Sequence, residues 1–291
     1  TFIDSIIAMT NLSYPEFVGA VNASRHMLPL AMRCLRESGV NSISITPRKN
    51  TLLYAEYPDG KPCDLQMPPD AMLLCGCDVL GAHEYDRATL EFCRHVVKES
   101  AHSQYSVVDI GANVGLFTRQ VYTNFSPKAR HVWCYEPELN NFRLLNRNLE
   151  FIAGEAVSLH EYGLGKEDGV QDLYCSDDNH GAHSLIRDSL LTKHETNNKY
   201  THQTVTIKSA SHESRRWIDF GLPIFYKSDT EGFDEMIANS IDNYAWSSCI
   251  FGAIIELKSL PGKEVGPFEI SHLLDIFPNK VFERKPNLLV S

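Results

Sequence analysis

A glycine-rich turn between two acidic residues has a spacing that is typical of ligand binding. Asp109 ends an apolar stretch, and Gly111-Ala-Asn-Val-Gly115 follows it. Glycines at such a position let the backbone turn tightly from a strand into a helix, and they let a ligand approach the main chain. Glu136 ends the next apolar stretch, where its carboxylate can accept hydrogen bonds from two ribose hydroxyls. The pattern therefore predicts a site for an adenosine-containing ligand.

The same turn discriminates between two classes of cofactor. A dinucleotide site needs G-x-G-x-x-G, because the second glycine lets the backbone approach the pyrophosphate. Aligned on Gly111, this chain has Asn113 and Leu116 at the positions of the second and third glycines. Asp109 would repel a diphosphate, whereas its charge suits the ammonium group of a methionine moiety. We therefore expect S-adenosylmethionine rather than NAD. The cofactor-site residues predicted from this pattern are Asp109, Gly111, Asn113, Gly115 and Glu136.

Alternating strands and helices must position these residues. Apolar stretches predict strands at 106–110, 131–135, 156–160, 224–228 and 250–257. Helical spacing predicts helices at 83–99, 114–125, 138–150, from about 233, and at 267–276. This alternation predicts a Rossmann-like α/β fold with a mostly parallel sheet, whose ligand site lies at the carboxyl ends of the strands. Two short apolar stretches around Pro286 predict a C-terminal antiparallel hairpin over 280–290.

The first part of the chain has a different pattern. Residues 1 to about 50 are predicted to be helical and mixed, and a strand that begins at Thr51 ends in the turn Pro58-Asp-Gly60. We place a soft boundary near residue 80. It separates an N-terminal helical and hairpin extension, 1–80, from a cofactor-binding domain, 81–291. Because the chain begins with Thr1, we expect a trimmed sequence or a piece of a larger multi-domain protein.

Composition disfavours several classes of protein. The chain has 27 basic and 37 acidic residues, a net charge of −10. Because nucleic-acid binding relies on Lys and Arg at phosphates, we expect no nucleic-acid partner. With no apolar run of about 18 residues and no secretory signal pattern, we expect a cytoplasmic protein without a membrane span. The eight cysteines are scattered, many in apolar stretches, as buried thiols are. Cys75-Gly-Cys77 lacks a second pair for zinc, and we expect no metal.

Polar residues after the fourth predicted strand of the sheet are candidates for catalysis. S-adenosylmethionine donates its methyl group in line to an acceptor atom, and an acceptor that carries a proton must also lose it. Asp229 is the first candidate for the base or for orienting the acceptor; alternatively, it holds the cofactor's amino group or caps the next helix. Lys227 either pairs with Asp229 or Glu231 or lowers the pKa of an acceptor hydroxyl. Glu231 either contributes to the cofactor site or caps the same helix.

A polar segment after the third predicted strand offers further candidates. Residues 176–183 include a glycine that would give flexibility, and we expect the segment to close over the substrate. His180 is a candidate base, as is His183, because histidine titrates nearest neutral pH; the common alternative for each is a surface position. Asp177-Asp178 together with Asp229 would offer oxygen ligands to a divalent cation, but nothing fixes an octahedral set.

Five blocks resemble, in order and spacing, the serial motifs of the FkbM family of methyltransferases. They are Val107-Val-Asp-Ile-Gly-Ala-Asn-Val-Gly115, Tyr135-Glu-Pro-Glu138, Tyr162-Gly-Leu-Gly-Lys-Glu-Asp-Gly169, Asn179-His-Gly-Ala-His-Ser-Leu185 and Lys227-Ser-Asp-Thr-Glu-Gly-Phe233. Ile254-Ile-Glu256 resembles the family's next strand. The resemblance extends from about residue 80 to the end. Its most specific block has Ser228 and Thr230 where the family usually has apolar residues.

The resemblance implies O-methylation of a hydroxyl on a natural product, sugar or lipid, with S-adenosylmethionine as the cofactor. It also implies that Pro137 and Gly163 belong to the cofactor site. We therefore expect an O-methyltransferase with a small-molecule or glycan acceptor. Two other functions stay open: a nucleotide-dependent oxidoreductase, which Asn113 disfavours, and an inactive methyltransferase-like binding module, which the intact Asp109, Glu136 and Asp229 disfavour.

Overall fold

The computed structural model describes residues 42–46, 51–56, 62–67, 87–125, 128–150, 156–176, 183–186, 200–256 and 273. The chain divides into two units, Thr1–Asp86 and Arg87–Ser291. The functional boundary expected near residue 80 stays a prediction. Several predicted features lie outside the described residues, among them the turn Pro58-Asp-Gly60, the C-terminal hairpin over 280–290, His180, and Asp177-Asp178.

The first unit contains a three-stranded antiparallel sheet. Its strands are β1 (Ser42–Thr46), β2 (Thr51–Glu56) and β3 (Pro62–Met67), in the order β1-β2-β3. The predicted strand at Thr51 is confirmed. The helical and mixed character predicted up to about residue 50 is wrong for β1, where serine and isoleucine alternate with a period of two that favours a strand. The predicted helices before residue 42 lie outside the described part of the chain.

The second unit is built on a five-stranded sheet in which every pairing is parallel. Its strands are β4 (Tyr105–Ile110), β5 (Ala129–Tyr135), β6 (Val157–His160), β10 (Ile224–Ser228) and β11 (Ile250–Ile255). Their order is β11-β10-β4-β5-β6. All five coincide with predicted strands, so the predicted α/β fold with a parallel sheet is confirmed.

Helices connect these strands. They are α1 (Arg87–Glu99), α2 (Leu116–Phe125), α3 (Leu139–Leu149), α4 (Ala210–Asp219) and α5 (Asp234–Ser240). A π-helical turn, Ala245–Cys249, precedes β11. Helix α4 was not predicted, although Ser209 caps its N-terminus by accepting a hydrogen bond from the His212 N–H, which is a recognisable start signal. Of the helix predicted at 267–276, only Leu273 is described, and it is helical.

A second, mixed sheet was also not predicted. It contains β7 (Gly163–Gly165), β8 (Gly169–Ser176) and β9 (Tyr200–Ser209), in the order β7-β9-β8. Strand β9 pairs parallel to β7 and antiparallel to β8. In β9, buried Val205 and Ile207 alternate with exposed Thr204 and Thr206, and that period of two is the sequence signal for a half-buried strand.

Both faces of the parallel sheet are buried. In β4, Val108 and Ile110 pack into one apolar cluster, with Tyr135 and Trp217, and Val107 packs into the other. Successive side chains of a strand point to opposite faces, so a strand covered on both sides needs apolar residues throughout. This arrangement fixes the ends of β4, β5 and β10 rigidly. Among the described residues, no helix is long and apolar enough to cross a membrane.

Candidate cofactor and acceptor site

A cavity lies where the order of the parallel strands reverses. From central β4 the chain continues to β5 and β6 on one side and later to β10 and β11 on the other, and such a switch point opens a crevice at the carboxyl ends of the strands. Most of the predicted site residues line this cavity: Gly111, Asn113, Glu136, Pro137, Gly163, Asp229 and Glu231. Asp109, Gly115 and Lys227 are not part of the lining, and His180 lies outside the described residues.

Gly111 is required where the ends of β4 and β10 meet. Its φ is +73°, and a Cβ on it would lie 1.9 Å from the backbone oxygen of Asp229. The Asp229 N–H in turn donates to the Ile110 carbonyl at 3.0 Å. Gly115 has a φ of +88°, and its Cβ would lie 2.8 Å from Leu145 Cδ1. Gly115 therefore serves the packing of the turn against α3, and its predicted role in cofactor binding stays a prediction.

Glu136 joins the turns that follow β4 and β5. One carboxylate oxygen accepts from the Asn113 N–H at 2.8 Å, and the other accepts from the Glu138 N–H at 2.9 Å. Asn113 has a φ of +51°, and its side-chain oxygen accepts from the Val114 N–H at 2.7 Å. Each carboxylate oxygen has two lone pairs, so Glu136 is held by the backbone while it retains acceptors for a ligand in the cavity.

Asp109 is neutralised inside the protein. It is fully buried, and its carboxylate accepts from the Thr118 hydroxyl at 2.7 Å and lies 3.0 Å from Lys227 Nζ. Lys227 and Asp109 are opposite each other in the register of β10 and β4. The ammonium of a cofactor is thus not needed to balance the Asp109 charge. The role of Asp109 toward that ammonium stays a prediction.

Lys227 pairs with carboxylates, and such pairing is one of the two roles predicted for it. Its ammonium donates to the Gly111 carbonyl at 3.1 Å and lies 4.0 Å from Asp229 Oδ2. Burial lowers the pKa of Lys227, but the charges of Asp109 and Asp229 outweigh that effect, and the net pKa is raised. Lys227 therefore stays protonated, which makes it a fixed positive charge under the cavity and no proton acceptor.

The loop after β10 has an unusual backbone that one buried aspartate organises. Glu231 has a φ of +57° and Gly232 a φ of +107°. Asp234, 1% exposed, accepts from the Ser228 hydroxyl at 2.5 Å, from the Thr230 N–H at 3.0 Å and from the Gly232 N–H at 3.3 Å. Burial raises the pKa of Asp234 to about 6. Asp234 was not predicted as a site residue, although an aspartate in the first turn of a predicted helix was a recognisable signal.

The alternative in which Asp229 or Glu231 caps the next helix is wrong. Helix α5 begins after Phe233, which occupies the N-terminal cap position and makes no side-chain capping hydrogen bond. The side chain of Asp229 is 49% exposed and lines the cavity, as Glu231 does. Both residues therefore belong to the cavity lining, and neither is the residue at the N-terminal cap of the helix.

Carboxylates dominate the charge of this end of the cavity. Oxygens of Asp229, Glu231 and Glu256 lie within 4.8 Å of one another. Glu256 follows β11, and its N–H donates to the Ser228 carbonyl at 3.0 Å. It was predicted only as part of the strand block Ile254-Ile-Glu256 and not as a site residue. Among the residues that the structure describes, the cavity lining contains no Lys or Arg. His183, one of the two histidines predicted as alternative bases, does line the cavity.

Neither a protein-family model nor a curated protein matches the chain. Among solved structures, the chain is similar to the crystal structure of methyltransferase FkbM from Methylobacillus flagellatus KT, with a TM-score of 0.33 and 15% sequence identity. The match covers 51% of this chain and 32% of that one.

Proposed function

We propose that this chain is an S-adenosylmethionine-dependent O-methyltransferase whose cofactor binds at the ends of β4, β5 and β10. The observation that carries the proposal is the position of Glu136. Its carboxylate lines the cavity, lies at the end of the strand next to the glycine turn, and is held in place by two backbone N–H groups. A carboxylate at this point of a Rossmann-like sheet suits the two hydroxyls of a ribose.

The backbone of the turn supports a sulfonium cofactor over a dinucleotide. A pyrophosphate needs free backbone N–H groups at the start of the helix. Here the N–H groups of Gly111 and Ala112 both donate to the Tyr135 carbonyl, and that of Asn113 donates to Glu136. Those of the next two residues are also occupied within the turn. The carboxylates of the lining add to this argument, because they attract a cation and repel phosphates.

Each residue near the reacting end has a distinct role in this proposal. S-adenosylmethionine supplies an electrophilic methyl group when it is bound. Asp229 would accept the proton of the acceptor hydroxyl as the new O–CH3 bond forms and the bond from that methyl group to the cofactor's sulfur breaks, which leaves S-adenosylhomocysteine; alternatively, Asp229 would orient that hydroxyl. Lys227 holds the Asp229 side chain and the Gly111 carbonyl in place. His183 is the alternative base, and a sugar, lipid or natural-product hydroxyl enters between it and Asp229.

Glu136→Ala is expected to weaken S-adenosylmethionine by about ten- to a hundredfold, because charge-assisted hydrogen bonds to the ribose are worth about 1.5–3 kcal/mol each. Isothermal titration calorimetry with S-adenosylmethionine, S-adenosylhomocysteine and NAD measures this. The variant also leaves two backbone N–H groups without their acceptor, so its melting temperature must be recorded alongside.

Glu138→Ala is the matched control. Glu138 is a buried carboxylate in the same turn that accepts from the Asn141 N–H, but it does not line the cavity. Its removal should lower stability about as much as Glu136→Ala does and leave the affinity for S-adenosylmethionine within about twofold of that of the unmodified chain. Equal losses of affinity in the two variants, or tighter binding of NAD than of S-adenosylmethionine to the unmodified chain, would contradict the proposed site.

Cofactor affinity is expected to rise with pH up to about 7. Burial raises the pKa of Glu136 to about 7, although the N–H groups of Glu138 and Asn113 oppose the rise. Ribose hydroxyls donate to the ionised carboxylate, so affinity should fall by up to about tenfold for each pH unit below 7. In the free protein the sign is reversed: a raised carboxyl pKa stabilises the fold at low pH, and that contribution is lost as pH rises through 7. Titrations between pH 5.5 and 7.5 test this, and Glu136→Gln should flatten the profile.

A further inference from the structure

A short segment, 183–186, forms one wall of the cavity, and the loop after β10, which carries Asp229 and Glu231, forms another. Ser184 pairs with Tyr174 at the edge of β8 through two backbone hydrogen bonds of 2.8 and 3.0 Å. The Ile186 N–H donates to Ser184 Oγ at 3.0 Å and closes a small turn. His183 and Leu185, on either side of Ser184, line the cavity.

The hydroxyl of Ser184 reaches from this segment to the loop after β10. Ser184 is 1% exposed, and its hydroxyl donates to the Glu231 carbonyl at 2.8 Å. Glu231 has left-handed backbone dihedrals, which a residue other than glycine keeps only when its surroundings hold it there. Asp234 holds the N–H groups on both sides of Glu231, and Ser184 holds the carbonyl between them.

We infer that Ser184 is a positioning residue that couples the two walls of the acceptor end of the cavity. Its hydroxyl has a protein acceptor in Glu231 and a protein donor in Ile186, so it acts through these groups and not on a ligand. The coupling fixes the distance between the wall that carries His183 and the wall that carries Asp229. Only the assignment of these walls to the methyl acceptor rests on the proposed function; the coupling itself does not.

Hydrogen–deuterium exchange tests the coupling without an acceptor. In Ser184→Ala, the amides of Thr230 and Gly232 should exchange about five- to tenfold faster, as expected for loss of a hydrogen bond worth about 1–1.5 kcal/mol. These amides bond to Asp234, not to Ser184, so faster exchange there reports transmission from one wall to the other. Ser184→Thr keeps the hydroxyl and should restore protection.

Ser214→Ala is a matched control. Ser214 is fully buried, donates to the Ser211 carbonyl at 3.0 Å and accepts from the Asp242 N–H at 3.3 Å, so it has the same pattern of two hydrogen bonds away from the cavity lining. It should lower the melting temperature to a similar extent and leave exchange at Thr230 and Gly232 unchanged. Unchanged exchange at these amides in Ser184→Ala, or equal acceleration in both variants, would overturn the inference.

A measurement of cofactor affinity separates this inference from the proposed function. S-adenosylmethionine should bind Ser184→Ala within about twofold of the unmodified chain, because Ser184 bonds to the backbone carbonyl of Glu231 and not to its carboxylate, and the hydrogen bonds of Glu136 are made by other residues. A loss of more than about tenfold would contradict the assignment of Ser184 to the acceptor end. If the unmodified chain does not bind S-adenosylmethionine at all, the proposed function fails, while the exchange experiment still decides on the coupling.

Discussion

Gly111→Val is expected to abolish cofactor binding and to lower stability by several kcal/mol. A Cβ at this position would lie 1.9 Å from the Asp229 oxygen and 2.8 Å from its carbonyl carbon. Both atoms belong to the backbone, which cannot move away as a flexible side chain can, so the ends of β4 and β10 must separate. The left-handed φ of Gly111 adds a further cost of about 1 kcal/mol for any other residue. Thermal melting and titration with S-adenosylmethionine measure both effects.

Gly221→Ala isolates the contribution of backbone conformation. Gly221 has a φ of +78°, close to that of Gly111, but nothing lies within 4 Å of the Cβ that it would gain. It should lose about 1 kcal/mol and retain cofactor affinity, whereas Gly111→Ala should lose much more stability and all measurable affinity. Normal binding by a folded Gly111→Ala would show that the meeting of these two strand ends does not form the site.

The parallel sheet was predictable because each of its strands is a continuous apolar stretch buried on both faces. The strand Ile224–Ser228 begins and ends where it was predicted. The mixed sheet was missed for a physical reason. Strand β8 lacks a regular alternation, since Leu173 is buried and Val170 is exposed, and its partner β9 comes only after residue 199. The alternation in β9 was a signal for that strand alone, because local periodicity does not report which distant strand it pairs with.

The residues of the candidate site also divide into those that could be predicted from the sequence and those that could not. The positions of Gly111 and Glu136 in the cavity lining were predictable because both residues follow the ends of predicted strands. The pairing of Asp109 with Lys227 was not, because it depends on the register of β4 against β10, which the sequence leaves undefined. Ser184 and Asp234 were missed for a similar reason: each acts on the backbone of another segment, so neither belongs to a motif of local spacing.

Asp229→Asn is expected to lower turnover by about 10²–10⁴, the range for loss of a general base. The substitution keeps the shape of the side chain and removes its capacity to accept a proton. Because Asp229 lines the cavity and caps no helix, stability should change little. Turnover is measured with isotopically labelled S-adenosylmethionine on an acceptor identified from a panel of sugars, lipids and natural-product alcohols, by mass spectrometry.

The balance between turnover and affinity identifies what Asp229 does. As base or acceptor-orienting group, its loss lowers turnover at saturating cofactor and changes cofactor affinity by less than about threefold. If it holds the cofactor's amino group instead, affinity and turnover fall together and saturating cofactor restores the rate. Asp172→Asn is the control, since Asp172 is exposed on β8 and not in the cavity lining. Wild-type turnover in Asp229→Asn would exclude both roles and leave His183, the histidine among the described lining residues, as the base to test next.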